Sequence, residues 1–164
     1  MVDITEVAIA GQHTDVLHCL TIPLHNEVAL LPNAAIAEIV AYSEPDAMED
    51  APVWLLGFVN WREKRVPLIS FEAASGKGVE AAKKNSRVAI LNTLNGNASL
   101  PYVGLLSQGI PSLALVQESG IEEQEGGEGR ASISAVVKLG GVEALVPDID
   151  DLERRIAQLN VTNV

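Results

Sequence analysis

The sequence has a single cysteine, Cys19, among 164 residues. An internal disulfide is therefore excluded, and a lone cysteine in an apolar stretch reads as a small buried hydrophobe rather than a nucleophile. Aromatic residues make up only 4% of the chain, so the 48% hydrophobic fraction rests on Val, Ile, Leu and Ala. That composition predicts a folded chain with an aliphatic core. Long hydrophobic runs are missing too: residues 53–59 and 144–147 fall far short of the roughly 20 that a membrane-spanning helix needs. Residues 1–15 contain Asp3 and Glu6 but no Lys or Arg and no continuous apolar run, so no secretory leader is read. A cytoplasmic location without membrane insertion is expected.

Positive charge is scarce as well. Eleven Lys and Arg face 22 Asp and Glu, a formal net charge of −11. Such a chain repels a phosphate backbone, which excludes nucleic acid as the main partner and favours proteins. The basic residues are nevertheless gathered. Residues 62–87 hold seven of the eleven and only three acids. This stretch is either a solvated loop with a strand edge or a docking surface for an acidic partner.

Motifs of catalysis and cofactor binding are also lacking. No Gly-x-Ser-x-Gly elbow, His-Glu-x-x-His pair or Gly-x-x-x-x-Gly-Lys-Ser/Thr loop occurs, and Gly76-Lys77-Gly78 lacks the further glycine of a phosphate-binding fingerprint. His13, His18 and His25 are scattered. Adjacent positions on a strand point to opposite faces, so His18 and Cys19 do not share a metal. No catalytic residue, metal or cofactor is expected.

The length fits one domain. Apolar, β-branched segments bounded by turn residues predict strands at 16–22, 27–31, 53–60, 65–71, 87–93, 102–107, 113–117, 132–139 and 142–146. Asn26 lies in the turn of an opening hairpin, and Gly140-Gly141 is a two-residue hairpin signal. Asn33 reads as the cap of a short helical turn over 34–39, with Ile36, Ile39 and Val40 as its apolar stripe. The segments 43–52 and 74–85 read as exposed connections, and 118–130, with five glutamates and four glycines, as a mobile loop. Asp150 with Glu153 resembles a capping box opening a C-terminal helix of about ten residues, with Leu152, Ile156 and Leu159 inward and Arg154 and Arg155 on the other face. Trp54 reads as core and Trp61, in a charged turn, as an interface anchor. Many short strands with one closing helix indicate an all-β barrel or barrel pair.

The stretch from Gly57 through Asn60, Trp61, Arg62, Val66 and Pro67 to Ile69 resembles the CheW-like signature, Gly-x-x-Asn-x-Arg-Gly-x-x-x-Pro between two strands. Leu31-Pro32 followed by Glu38-Ile39-Val40, the strand at 102–107 and the hairpin and helix start at 140–152 are similar to further elements of that family. The resemblance spans 14–160, is strongest at 53–71 and weakest over the glutamate-rich segment, and leaves 1–13 as a tail. It implies two small five-stranded barrels packed around one apolar core with a C-terminal helix and no active site. The implied activity is a chemotaxis adaptor: one barrel docks the regulatory domain of a CheA-type histidine kinase, and a groove near the barrel junction accepts the helical tip of a methyl-accepting chemoreceptor. By position, Glu38 and Arg62 match a charged pair ordering the receptor-facing region, Gly57 and Asn60 a tight backbone turn, and Val66 and Pro67 the start of the outgoing strand. With Ile39, Val40 and Trp61 these form the expected partner-binding set.

Two departures stand out. Glu63 occupies a position where the family has Gly, which is expected to change the turn, and Ser70 stands where an Asp often ends the strand. With the glutamate-rich segment they resemble a divergent paralogue, such as the Chp-type adaptors of type IV pilus twitching motility. The competing readings are a β-barrel module for a small ligand and an enzyme built around Asp15, His18 or His25.

Overall fold

The computed structural model describes residues 16–159. The tail expected over 1–13 lies outside them, as do His13 and Asp15. Among the described residues eleven strands form two sheets. The first has the order β8-β1-β2-β11-β10-β9 and comprises β1 (Val16–Pro23), β2 (Val28–Pro32), β8 (Ser112–Gln117), β9 (Ile121–Gln124), β10 (Ile133–Leu139) and β11 (Val142–Pro147). The second has the order β3-β6-β7-β5-β4, from β3 (Ile36–Ala41), β4 (Leu55–Trp61), β5 (Lys64–Ile69), β6 (Arg87–Asn92) and β7 (Tyr102–Ser107). The pairings are antiparallel except where β2 meets β11 and β5 meets β7.

Each sheet rolls around its own small core. Strands β3 and β4 end the second sheet on opposite sides, yet the Trp61 indole donates to Glu38 Oε1 at 2.9 Å, so the two edges meet. Inside lie Val59, Trp61, Val66, Leu68, Val88, Ile90 and Leu106. In the first sheet Val116 of β8 and Val137 of β10 share one cluster with Cys19, Leu30 and Ala144, against which Ile121 of β9 packs. A third and larger cluster joins the barrels, drawing Ile22 and Leu31 from the first, Phe58, Ile69, Leu91 and Leu105 from the second, and Leu152 and Ile156 from the C-terminal helix. Alternation along each strand makes this possible, because successive side chains point into a barrel and out toward the junction.

The expected hairpins are present. The β1–β2 turn carries Asn26 at φ 60, and Gly140 and Gly141 join β10 to β11 with φ 58 and 85. Five expectations need correction. The helical turn expected over 34–39 ends at Ala35: a 3-10 turn, Asn33–Ala35, has no side-chain cap, and from Ile36 the chain is strand β3. A register shift between Ile36 and Glu38 inserts one extra residue, so Ile36 and Ile39 both reach the central core while Val40 packs into the second barrel. A bulged strand thereby imitates helical spacing.

The segment expected to be a mobile loop contains β9, paired to β10 from Ile121↔Leu139 to Gln124↔Val136, which gives the first sheet a sixth strand. Backbone pairing at an edge leaves the glutamates in water, so their polarity does not oppose a strand there. The strand expected to run to 71 stops at Ile69. Ser70 then caps a short helix α1 (Phe71–Ala74), accepting from the Ala73 N–H at 3.2 Å. Ser is among the preferred residues at such a cap. Finally, the C-terminal helix α2 (Ile149–Ala157) is capped by Asp148, which accepts from the Asp151 N–H at 3.0 Å, rather than by Asp150. Arg154 faces solvent as expected, but Arg155 turns inward, donating to the Ala74 carbonyl at 2.8 Å with its guanidinium 4.8 Å from the Trp54 ring centre.

Candidate functional site

The hairpin β4–β5 ends in the two-residue turn Arg62-Glu63, closed by the pair Trp61↔Lys64. Both turn residues have positive φ, 50 and 65. This is the mirror-image turn that matches strand twist and that glycine normally supplies. The expectation that Glu63 would change the turn is therefore corrected: the left-handed shape is retained with a side chain in place.

The turn presents Arg62 beside Glu38 of β3. The Arg62 Nη2 to Glu38 Oε1 distance is 3.1 Å, and Arg62 lies 4.8 Å from the centre of the Trp61 ring. The same Glu38 oxygen accepts the Trp61 indole N–H, and Tyr102 meets Trp61 edge-on with centroids 4.8 Å apart. The structure thus brings the expected charged pair together on an aromatic platform. The side chains of Arg62 and Glu38 are 69% and 41% exposed, so water screens the pair and it contributes under about 1 kcal/mol to stability. What the arrangement provides is orientation: one accepting oxygen fixes both a buried indole and an exposed guanidinium.

The rest of the expected set divides by burial. Asn60 is exposed on β4, opposite Arg65. Ile39 and Val40 are half-buried, one toward each core. Gly57, Trp61, Val66 and Pro67 are buried, so the free protein does not present them to a partner, and Trp61 serves as a platform rather than an exposed anchor. Gly57 has φ 139 and sits against the backbone of Asp46, which forms a bridge with Phe58 through hydrogen bonds of 2.8 and 2.9 Å. Next to it Arg65 stacks 4.3 Å from the Phe58 ring centre and lies 3.8 Å from Asp46. Sequence reasoning missed Tyr102, Phe58 and Asp46 as supports, because each reaches the hairpin through long-range pairing with no local signal.

Of the basic segment, Arg62 and Arg65 are engaged at this corner, and Arg87 donates to the Ser86 carbonyl at 2.9 Å. Lys64, Lys77, Lys83 and Lys84 remain exposed.

Elsewhere the titratable groups serve structure. Burial pushes the Cys19 thiol up, and His18 points to solvent on the opposite face, as the strand reading requires. The Ser132 hydroxyl and then Arg154 hold the Asp151 carboxyl below its ordinary range. Burial and the nearby Glu44 raise Tyr42. His25 Nδ1 lies 3.6 Å from Glu80 beside a cleft of about 270 Å³ that Glu27, Glu72 and Lys77 also line. Among the described residues no cluster of His, Cys, Asp and Glu has a metal-binding arrangement. Each barrel encloses its own cluster of buried side chains, and at the first a cleft of about 250 Å³ opens between Leu17, Val116, Glu118 and Ile121.

Comparison with known proteins places these features. A family model described as CheW-like domain matches residues 18–156. Among curated proteins, no sequence matches the chain. The chain is similar to a solved structure, the scaffolding protein TtCheW from Thermoanaerobacter tengcongensis, with 20% identity and a TM-score of 0.68 over 80% of this chain and 88% of that one. At that identity the likeness establishes the fold, two packed β barrels closed by a helix. With nearly all of its described residues matched, the chain belongs to the CheW-like domain family.

Proposed function

We propose that the chain is a cytoplasmic adaptor, one CheW-like unit over residues 14–160, that couples methyl-accepting chemoreceptors to a CheA-type histidine kinase. The observation that carries this reading is the corner formed by Glu38, Trp61 and Arg62, where the signature positions meet and aim an exposed guanidinium outward from a rigid platform. We assign that corner to the receptor-facing side. Among the described residues no helix is long and apolar enough to cross a membrane, which agrees with an adaptor working beside membrane receptors. The system served is of the Chp type, driving type IV pilus twitching. Support comes from Glu63 in the turn, Ser70 at the strand end and the glutamate-rich segment around β9, all departures from the family pattern.

Titration of the purified protein with the regulatory domain of the histidine kinase encoded nearest to it tests the reading. Saturable heat in the micromolar range is expected, weakening from low to moderate salt to the extent that charge drives it. An absence of heat at both salts would move the partner elsewhere. For the corner, Arg62→Glu places two carboxylates together and is expected to weaken receptor coupling about tenfold while leaving the unfolding transition close to native. Coupling that stays native would remove Arg62 from the interface.

A further inference from the structure

Four strands lie at sheet edges, β3, β4, β8 and β9. Three carry features that oppose pairing with another chain. Strand β3 has a register shift and Glu38, β4 has a shift at Gly57 and a bridge to Asp46 beside it, and β9 is four residues long with Glu122 and Glu123 at its centre. Strand β8 has none of these. Its six residues pair with β1 in unbroken register, from Val16↔Gln117 to Thr21↔Ser112, and its other edge has no strand partner among the described residues.

The side chains of β8 are equally unprotected. Leu113 and Leu115 are 62% and 59% exposed. They alternate with the buried Val116 side of the strand and share the outer face with Leu20 and His18 of β1. Ile110 extends this apolar surface at 59% exposure. Neither 16–24 nor 108–117 contains an Asp, Glu, Lys or Arg, in a chain whose formal charge is −11.

We propose that β8 pairs antiparallel with β8 of a second copy, continuing the first sheet across a two-fold axis at Ala114. Charge selects this occupant. A two-fold contact apposes identical surfaces, so β3 and β9 would set Glu38 or Glu122 and Glu123 near their own copies, whereas β8 and β4 carry no acid and β4 already has the bridge to Asp46 beside it. Register makes the contact self-complementary. With the axis at Ala114, Leu113 of each copy faces Leu115 of the other, and four leucines leave water together while the free edge amides and carbonyls pair.

Sedimentation of the full chain from the low micromolar range to about 100 µM is expected to show a monomer–dimer equilibrium. Leu113→Lys and Leu115→Glu alone each place like charges near the axis and should weaken the dimer at least tenfold. Combined in one chain, they set opposite charges across from each other and should restore most of that loss. Both positions are exposed, and an unchanged thermal transition verifies the fold of each variant. A monomer at every concentration overturns the proposal. So does a dimer indifferent to the single changes, or a double variant without recovery. Slow exchange, in a monomer, of those β8 amides that point away from β1 would overturn it too, by assigning the edge to another segment of the chain.

Discussion

Glu63 holds φ 65 directly after Arg62 at φ 50, two left-handed side-chain-bearing residues in one two-residue turn. An L-residue in that region costs about 1–2 kcal/mol, because its Cβ crowds the backbone. The hydrogen-bonded strands on either side, Asn60↔Arg65 and Trp61↔Lys64, leave the turn no other shape, so the strain is held rather than relieved. Glu63→Gly removes the crowded Cβ but adds freedom to the unfolded chain. The net expectation is a gain of about 1 kcal/mol, seen as a higher urea midpoint at unchanged slope. A midpoint at or below the native value would show that the turn carries no such strain. The retained shape also explains how a family position normally filled by Gly accepts Glu here: the corner depends on the turn's geometry, and the side chain at 63 points to solvent.

At the scale of the strand, Gly57 is the more constrained glycine. Its φ of 139 lies outside the range side chains adopt, and an added Cβ would meet the Asp46 carbonyl group and come within 3.0 Å of Pro45. The obstacle is backbone tied to Phe58 by two hydrogen bonds, so it cannot swing away as a flexible side chain could. Gly57→Ala is expected to lower stability by about 2 kcal/mol or more, measurable as a fall of several degrees in Tm. A near-native Tm would mean that the Asp46 segment yields easily. These elements also show what sequence reading reaches. Continuous β-branched runs and glycine turns made most strands legible, including the β10–β11 hairpin. Strand β3 was obscured because its bulge gives Ile36, Ile39 and Val40 a helical spacing, and β9 because composition reports solvation while backbone pairing decides an edge strand. The Glu38 and Arg62 pair came from resemblance, since nothing in 23 intervening residues joins them; the Trp61–Glu38 bond that fixes them depends on the rolling of the whole sheet. The burial of Val66 and Pro67 was likewise illegible, because a strand between two cores has no outer face.

For the whole molecule, the decisive relation is that between the two barrels. Their junction is apolar, and a polar lock closes it at one side. Arg130, just ahead of β10, makes a double contact with Glu27 at 2.6 and 3.1 Å and donates to the Ser75 carbonyl and hydroxyl at 3.1 and 2.8 Å, reaching the chain that leaves α1. Arg155 grips the same region through the Ala74 carbonyl and the Ser132 hydroxyl. The side chains of Arg130 and Glu27 are 17% and 20% exposed, against 69% and 41% for Arg62 and Glu38, so salt should act differently on the two pairs. Arg130→Met leaves Glu27 partly buried without its counter-charge, and the expected loss is about 3 kcal/mol. Glu27→Gln in the same background should recover part of it, because the stranded charge is gone. A double-mutant cycle over these two residues is expected to retain its coupling energy at 1 M salt, whereas a cycle over Glu38 and Arg62 should lose most of its own. Equal salt sensitivity would place the Arg130 contact in water and leave the apolar junction alone to hold the barrels in register.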